Sequence, residues 1–162
     1  MIQKIAPMLW FDGKAEDAAA FYVSVFPDST VTDVQRYGEG GPGEPGSAMV
    51  VAFELAGQEF TAINGGPHFT FSEAISFVID CGSQDEVDRY WDALTDGGEP
   101  GMCGWLKDRY GVSWQVVPRR LHELMRDPDA SRANRVVQAM MGMQKIDIAE
   151  LERAYAAEEV PA

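Results

Sequence analysis

Apolar residues along this chain follow two rhythms, and the rhythms recur in the same order twice. Ile2–Phe11 is a short, mostly apolar run closed by Asp12-Gly13, which predicts a strand. From Ala15 to Phe26 the apolar positions Ala18, Phe21, Tyr22 and Val25 recur at helical spacing. Glu16 and Asp17 stand in the first turn of that helix and Pro27 stops it. Ser29–Tyr37 predicts a second strand and Gly38–Ser47 a flexible loop. Ala48–Leu55 and Gln58–Ile63 then predict a hairpin about Ala56-Gly57.

The order restarts near Ala74. Ala74–Cys81 predicts a strand, and Ser83 with Glu86 three residues on forms a capping box. The helix it opens carries Val87, Tyr90, Trp91 and Leu94 on one face, and Gly97-Gly98 ends it. Met102–Lys107 and Ser113–Pro118 predict two further strands, joined by a turn in which Asp108 and Arg109 read as an exposed pair. The segment between Gly97 and Cys103 is short, so one strand of the second copy is expected to be missing. The strand–helix–strand–strand order therefore recurs at a spacing of roughly 70 residues.

The rest is helical. Arg119–Met125 predicts a short helix, and Asp127-Pro128 predicts an N-cap for a helix running to about Met141, with Val136, Val137, Met140 and Met141 on its apolar side. Asp147 opens a last helix holding Ile148, Leu151 and Tyr155.

Composition narrows the function classes. Of 162 residues, 46% are hydrophobic, enough for an ordinary core. A net charge of −13 repels phosphate backbones and anionic bilayers, so neither nucleic acid nor a membrane surface is an expected partner. Cys81 and Cys103 form no metal-ligand spacing and read as reduced thiols of a cytoplasmic protein. Met1–Phe11 is too short for a signal peptide.

Four passages together resemble a known family: FYVSVFPDS at Phe21–Ser29, GQEFTAINGGPHFTFSEAISFVIDC at Gly57–Cys81, CGWLKDRYGVSWQVVP at Cys103–Pro118 and RVVQAMMGMQKIDIAELERAY at Arg135–Tyr155. They are similar to the PhnB-like branch of the vicinal oxygen chelate (glyoxalase/bleomycin resistance/dioxygenase) superfamily, often labelled 3-demethylubiquinone-9 3-methyltransferase. The resemblance implies an α+β fold of paired βαβββ modules forming a cupped mixed sheet. It places one such domain at residues 1–118, with halves at about 1–66 and 73–118, and a helical extension at 119–162. It also implies a homodimer.

In the superfamily each half lends two side chains to a divalent metal. Those positions fall here at Pro7, Asn64, Ala74 and Gln115, two without a donor atom and two with neutral amides. Such a set is poor for a divalent cation, so no metal and no other cofactor is expected. His68 and Glu73 are the only nearby imidazole and carboxylate.

Strand alternation then proposes a cavity lining. With Pro7 and Gln115 taken as inward, Leu9, Phe11, Phe60, Ala62, Asn64, Ala74, Ser76, Val78, Ser113 and Val117 face the cavity, and Met8, Phe77 and Trp114 face the helices. Cys103 and Trp105 come from a neighbouring strand, and Trp105 can stack on a planar ligand. The candidate ligand-binding residues are thus Leu9, Phe11, Phe60, Asn64, His68, Ser76, Cys103, Trp105 and Gln115. Trp10, Trp91 and Trp114 read as core. The expected function is metal-free binding of an apolar or planar small molecule. The alternatives are an enzyme of the glyoxalase/dioxygenase superfamily or the methyltransferase of the family label. Against the latter, the glycine-rich Gly38–Gly46 leads into a strand rather than a helix.

Overall fold

The computed structural model describes residues 3–157 and falls into two compact units, Met1–Phe71 and Ser72–Ala162.

The first unit holds β1 (Met8–Phe11), α1 (Ala15–Val25), β2 (Thr30–Arg36), β3 (Ala48–Leu55) and β4 (Gln58–Asn64). The sheet order is β1-β4-β3-β2, with β1 and β4 parallel and the other pairs antiparallel. The predicted first strand shortens to its last four residues; Ile2 lies outside the described residues. Helix α1 buries Ala15, Ala18, Ala19 and Tyr22. The Tyr22 ring lies 6.3 Å from Phe53, which stacks at 5.4 Å and 14° on Phe60. Each such pair adds about 0.5–1.5 kcal/mol beyond the area it buries.

The second unit repeats the order: β5 (Phe77–Cys81), α2 (Gln84–Thr95), β6 (Glu99–Pro100), β7 (Trp105–Lys107) and β8 (Ser113–Pro118). Its sheet runs β5-β8-β7-β6, again with one parallel pair, β5 with β8. The strand expected to be missing is present as the two-residue β6, paired through Glu99↔Lys107 and Pro100↔Leu106. So short a strand has no alternation to read. Helix α2 buries the four predicted residues Val87, Tyr90, Trp91 and Leu94. Ser83 Oγ accepts the Glu86 N–H at 3.2 Å, and the Glu86 carboxylate accepts the Gly82 N–H at 2.6 Å.

Three helices complete this unit: α3 (Arg119–Met125), α4 (Ala130–Met141) and α5 (Ile148–Ala156). The cap of α4 is Asp129, whose carboxylate accepts from Ser131 N and Arg132 N, rather than Asp127. Asp127 instead accepts the Tyr155 hydroxyl at 2.6 Å and the Asp129 N–H at 2.8 Å. The helices close over Val117, Leu121, Leu124, Val136, Met143, Ile146 and Leu151. Gln84 ties them to α2, donating to Ile146 O and accepting from Ile148 N. Among the described residues no helix is long and apolar enough to cross a membrane.

Candidate functional site

Each sheet has one face under its own helix and one face that the helix leaves uncovered. Register partners share a face, so a few burial values assign both. In the first unit Phe60 stacks with Phe53 beneath Tyr22, and Val51↔Ala62 and Leu9↔Ala62 extend that face. Leu9 and Phe11 are buried on it, while Met8 is 58% exposed. The predicted facing is therefore reversed in this unit: Leu9, Phe11, Phe60, Ala62 and Asn64 lie on the α1 side. The uncovered side carries Met8, Trp10, Thr61 and Ile63 with Val50 and Ala52.

The two units agree with each other: the last residue of the first strand, Phe11 in one and Cys81 in the other, is buried on the helix side in both. Alternation counted inward from Pro7 starts one residue out of step, which inverts the expected facing of the whole strand.

Asn64 acts as a structural bracket. Its Oδ1 accepts the Ala15 N–H at 2.9 Å and so caps α1, whose own N-cap Lys14 gives no side-chain cap. Its Nδ2 donates to Ala48 O at 2.9 Å, and its carbonyl accepts the Tyr37 hydroxyl at 2.8 Å. Beside it lies a hollow of about 530 Å³ lined by Asp12, Glu16, Asp17, Arg36, Tyr37 and Glu44, among others. Its single guanidinium, Arg36, is held by Glu16 at 2.8 Å, which leaves the hollow acidic.

Trp10 is half-buried rather than core. Its Nε1 donates to Gly66 O at 2.9 Å, and Phe69 meets its ring edge-on at 4.9 Å. A Cβ on Gly65 would come within 2.1 Å of the indole, so only glycine fits there. His68, in the same loop, is exposed.

In the second unit the predicted facing holds for Val78, Ser113 and Gln115, but Val117, expected in the cavity, is buried beneath α3, α4 and α5. Phe77 meets the Trp114 ring at 5.4 Å, and Trp114, Val116 and Leu106 are buried on the α2 side. The uncovered side presents Val78, Gln115 and Trp105 as direct register partners across β5, β8 and β7. Gln115 Nε2 donates to Ser76 Oγ at 2.9 Å, which orients its amide. Two places beyond Trp105, Lys107 pairs with Glu73 at 2.5 Å. That ion pair holds the Glu73 carboxyl below its ordinary range and the Lys107 ammonium above its own.

Ala74 and Ser76 precede β5, which starts at Phe77. Cys103 sits in a turn at φ 58°, a left-handed backbone that costs about 1–2 kcal/mol outside glycine, and its N–H donates to Met143 O at 2.8 Å. Burial and the nearby Glu86 and Asp80 carboxylates push the Cys81 thiol up to about 12, so it stays protonated and inert.

Asp108 is a residue that sequence reasoning misplaced. It is 3% exposed, and its carboxylate accepts from Tyr110 N, Val112 N and Trp114 Nε1. Its apparent partner Arg109 pairs with Asp96 instead. Neither the turn nor its spacing signals the indole beneath it.

The superfamily's metal does not fit the donors present. Pro7 and Ala74 carry no side-chain donor atom, Asn64 spends both ends of its amide on backbone, and Gln115 is bonded to Ser76. Among the described residues no group of three or more His, Cys, Asp or Glu side chains is placed to hold a metal ion.

Two four-stranded mixed sheets, each with a parallel pair and a helix on one face, define a vicinal oxygen chelate fold. Residues 3–117 match the model of the 3-demethylubiquinone-9 3-methyltransferase family, and the chain belongs to that family. Its structure is similar to the PhnB protein of Bacillus cereus, at 39% identity and TM-score 0.67, over 72% of this chain and 99% of that one. A Pseudomonas aeruginosa protein, 22% identical over 72% of this chain and 98% of its own, shares the fold with TM-score 0.60. So does the fosfomycin resistance protein FosX of Listeria monocytogenes, 16% identical over 76% and 98%, with TM-score 0.52. No curated protein matches the chain.

Proposed function

We propose that the chain binds a small molecule with an apolar or planar part on the sheet face its helix leaves uncovered, and that binding needs no metal. The observation that carries this reading is the row Val78, Gln115 and Trp105 in the second unit. It offers an aliphatic surface, an amide fixed by Ser76 and a half-buried indole in one line. Amides and hydroxyls orient a ligand but are weak acids and bases, which favours holding over turnover. The methyl transfer named in the family description finds no support in the chain's glycine-rich stretch. Gly38–Gly46 joins β2 to β3 instead of opening a helix where a cofactor phosphate or carboxylate could sit.

The reading extends to a cytoplasmic homodimer. Ile5, Met8, Phe69, Ile75 and Met102 are large apolar side chains left exposed, and they supply material for an interface.

Elemental analysis joined to melting curves tests both parts. Substoichiometric metal, no shift with Ni²⁺, Mn²⁺, Zn²⁺ or Mg²⁺, and saturable stabilisation by planar aromatic compounds are expected. Stoichiometric metal with a clear shift would replace this reading with a metal-assisted enzyme. Sedimentation at micromolar concentration should give twice the chain mass; a monomer would remove the dimer.

A further inference from the structure

Three observations meet on the uncovered face of the second unit. Trp105 presents its indole next to the Gln115 amide. Lys107, two residues on and therefore on the same side, carries a cation whose partner is the Glu73 carboxylate from the turn before β5. Directly opposite Lys107 in the β7–β8 register stands Ser113, two residues before Gln115 and hence also on this side. Ser113 is 2% exposed, and among the described residues its Oγ is a buried side-chain atom with no hydrogen-bond partner. A buried hydroxyl without a partner costs about 1–3 kcal/mol, so a site that keeps one needs a reason.

Resting on the binding reading above, we propose that this face selects a planar aromatic carboxylate. The ring lies on Trp105 beside Val78, a polar ring substituent meets the Gln115 amide, and the carboxylate takes the place of Glu73 on Lys107. From there one of its oxygens accepts the Ser113 O–H. Register neighbours stand about 5 Å apart, close enough for one carboxylate to reach both groups.

The exchange is feasible on magnitudes. The Glu73 and Lys107 side chains are 59% and 36% exposed, and pairs that exposed hold together weakly. Glu73 regains water when displaced, while the incoming carboxylate satisfies a hydroxyl that Glu73 leaves unpartnered. A neutral amide of the same ring gains the stacking surface but not the charge-assisted bond to Lys107. A cation on the ring would meet Lys107 and be repelled. The negative charge of the whole chain slows the encounter of an anion, which rising ionic strength relieves.

The probes are indole-3-carboxylate and indole-3-carboxamide, titrated calorimetrically into the full chain. The acid should bind about tenfold tighter than the amide. Lys107→Met should erase that ratio. Ser113→Ala should weaken the acid severalfold and leave the amide unchanged, while the free protein melts no lower because no bond is lost. Glu73→Gln should tighten the acid. Equal binding of acid and amide, or a ratio unmoved by Lys107→Met, would overturn the assignment and leave the binding function standing. Saturable binding by neither probe nor by neutral planar compounds would instead bring down the binding reading.

Discussion

The two units are the same topology solved twice with different local chemistry. Both read strand, helix, three strands, with the first strand parallel to the last and the helix on one face. The first unit joins β1 to α1 by three residues and caps α1 from Asn64, 49 residues away. The second joins β5 to α2 by two residues and caps α2 locally, with Ser83 and Glu86. The core of the first is a stack of aromatic rings, whereas the second adds three helices whose apolar cluster begins at Val117 on β8. Topology is thus set by the order of elements. The three-residue and two-residue connections both follow a strand whose last residue, Phe11 or Cys81, faces the helix.

The sharpest way to break the comparison is to remove the ring at the centre of the first unit. Phe53 is 1% exposed and stacks between Tyr22 and Phe60. Phe53→Ala should cost about 3–5 kcal/mol, read as a lower urea midpoint and lost amide protection in β3 and β4. A loss under about 1 kcal/mol would mean that the aromatic stack is not the core of this unit.

Much of this architecture is legible in the chain, for physical reasons that differ by element. Ala18 with Tyr22, and Val87 with Tyr90, Trp91 and Leu94, repeat at helical period, and those positions are buried. Ser83 and Glu86 are close in sequence, so their cap is readable. Glu99–Pro100 is too short to show a period, and its strand is invisible until Lys107 and Leu106 pair with it. Asp127 reads as the cap of α4 on sequence; Tyr155, from a different helix, claims its carboxylate, and Asp129 caps α4 instead. The facing of Leu9, Phe11 and Phe60 fails for the same kind of reason. Alternation gives a strand's two faces but not which one meets the helix, and a count begun at Pro7 starts on the wrong one. The uncovered row of the second unit is half visible: Ser76 and Gln115 follow from parity, whereas the facing of Trp105 is settled only by its pairing with Gln115. The link from Lys107 to Glu73 needs a turn that no local pattern announces.

The two caps offer a finer contrast. Ser83→Ala removes one exposed side-chain bond to Glu86 N and should cost about 1 kcal/mol. Asn64→Ala strips both Ala15 N and Ala48 O, on residues that are 0% and 5% exposed, and should cost about 2 kcal/mol or more. Asn64→Asp keeps the acceptor for α1 and loses the donor for Ala48, so it should fall between wild type and Asn64→Ala. Chemical denaturation of the four proteins ranks them. If Ser83→Ala proves the costlier, the long-range cap is not what holds α1 in register with β4.

The smallest effect concerns the tether that only the second unit has. Lys145, between α4 and α5, pairs with Asp88 on α2 at 2.9 Å, and Gln84 donates to the same carboxylate at 3.0 Å. Lys145 and then Gln84 hold the Asp88 carboxyl below the ordinary carboxylate range. A carboxyl whose pKa is depressed on folding stabilises the fold above the unfolded value, and that gain fades as pH falls through the folded one. With side chains 37% and 43% exposed, solvent screening limits the gain to below about 1 kcal/mol. Stability measured from pH 7 down to about pH 3 should therefore decline slightly less steeply in Lys145→Met than in wild type. The difference should be largest near neutrality and vanish at the acid end. Identical slopes would show that Gln84, with its bonds to Ile146 and Ile148, carries the attachment without help from charge.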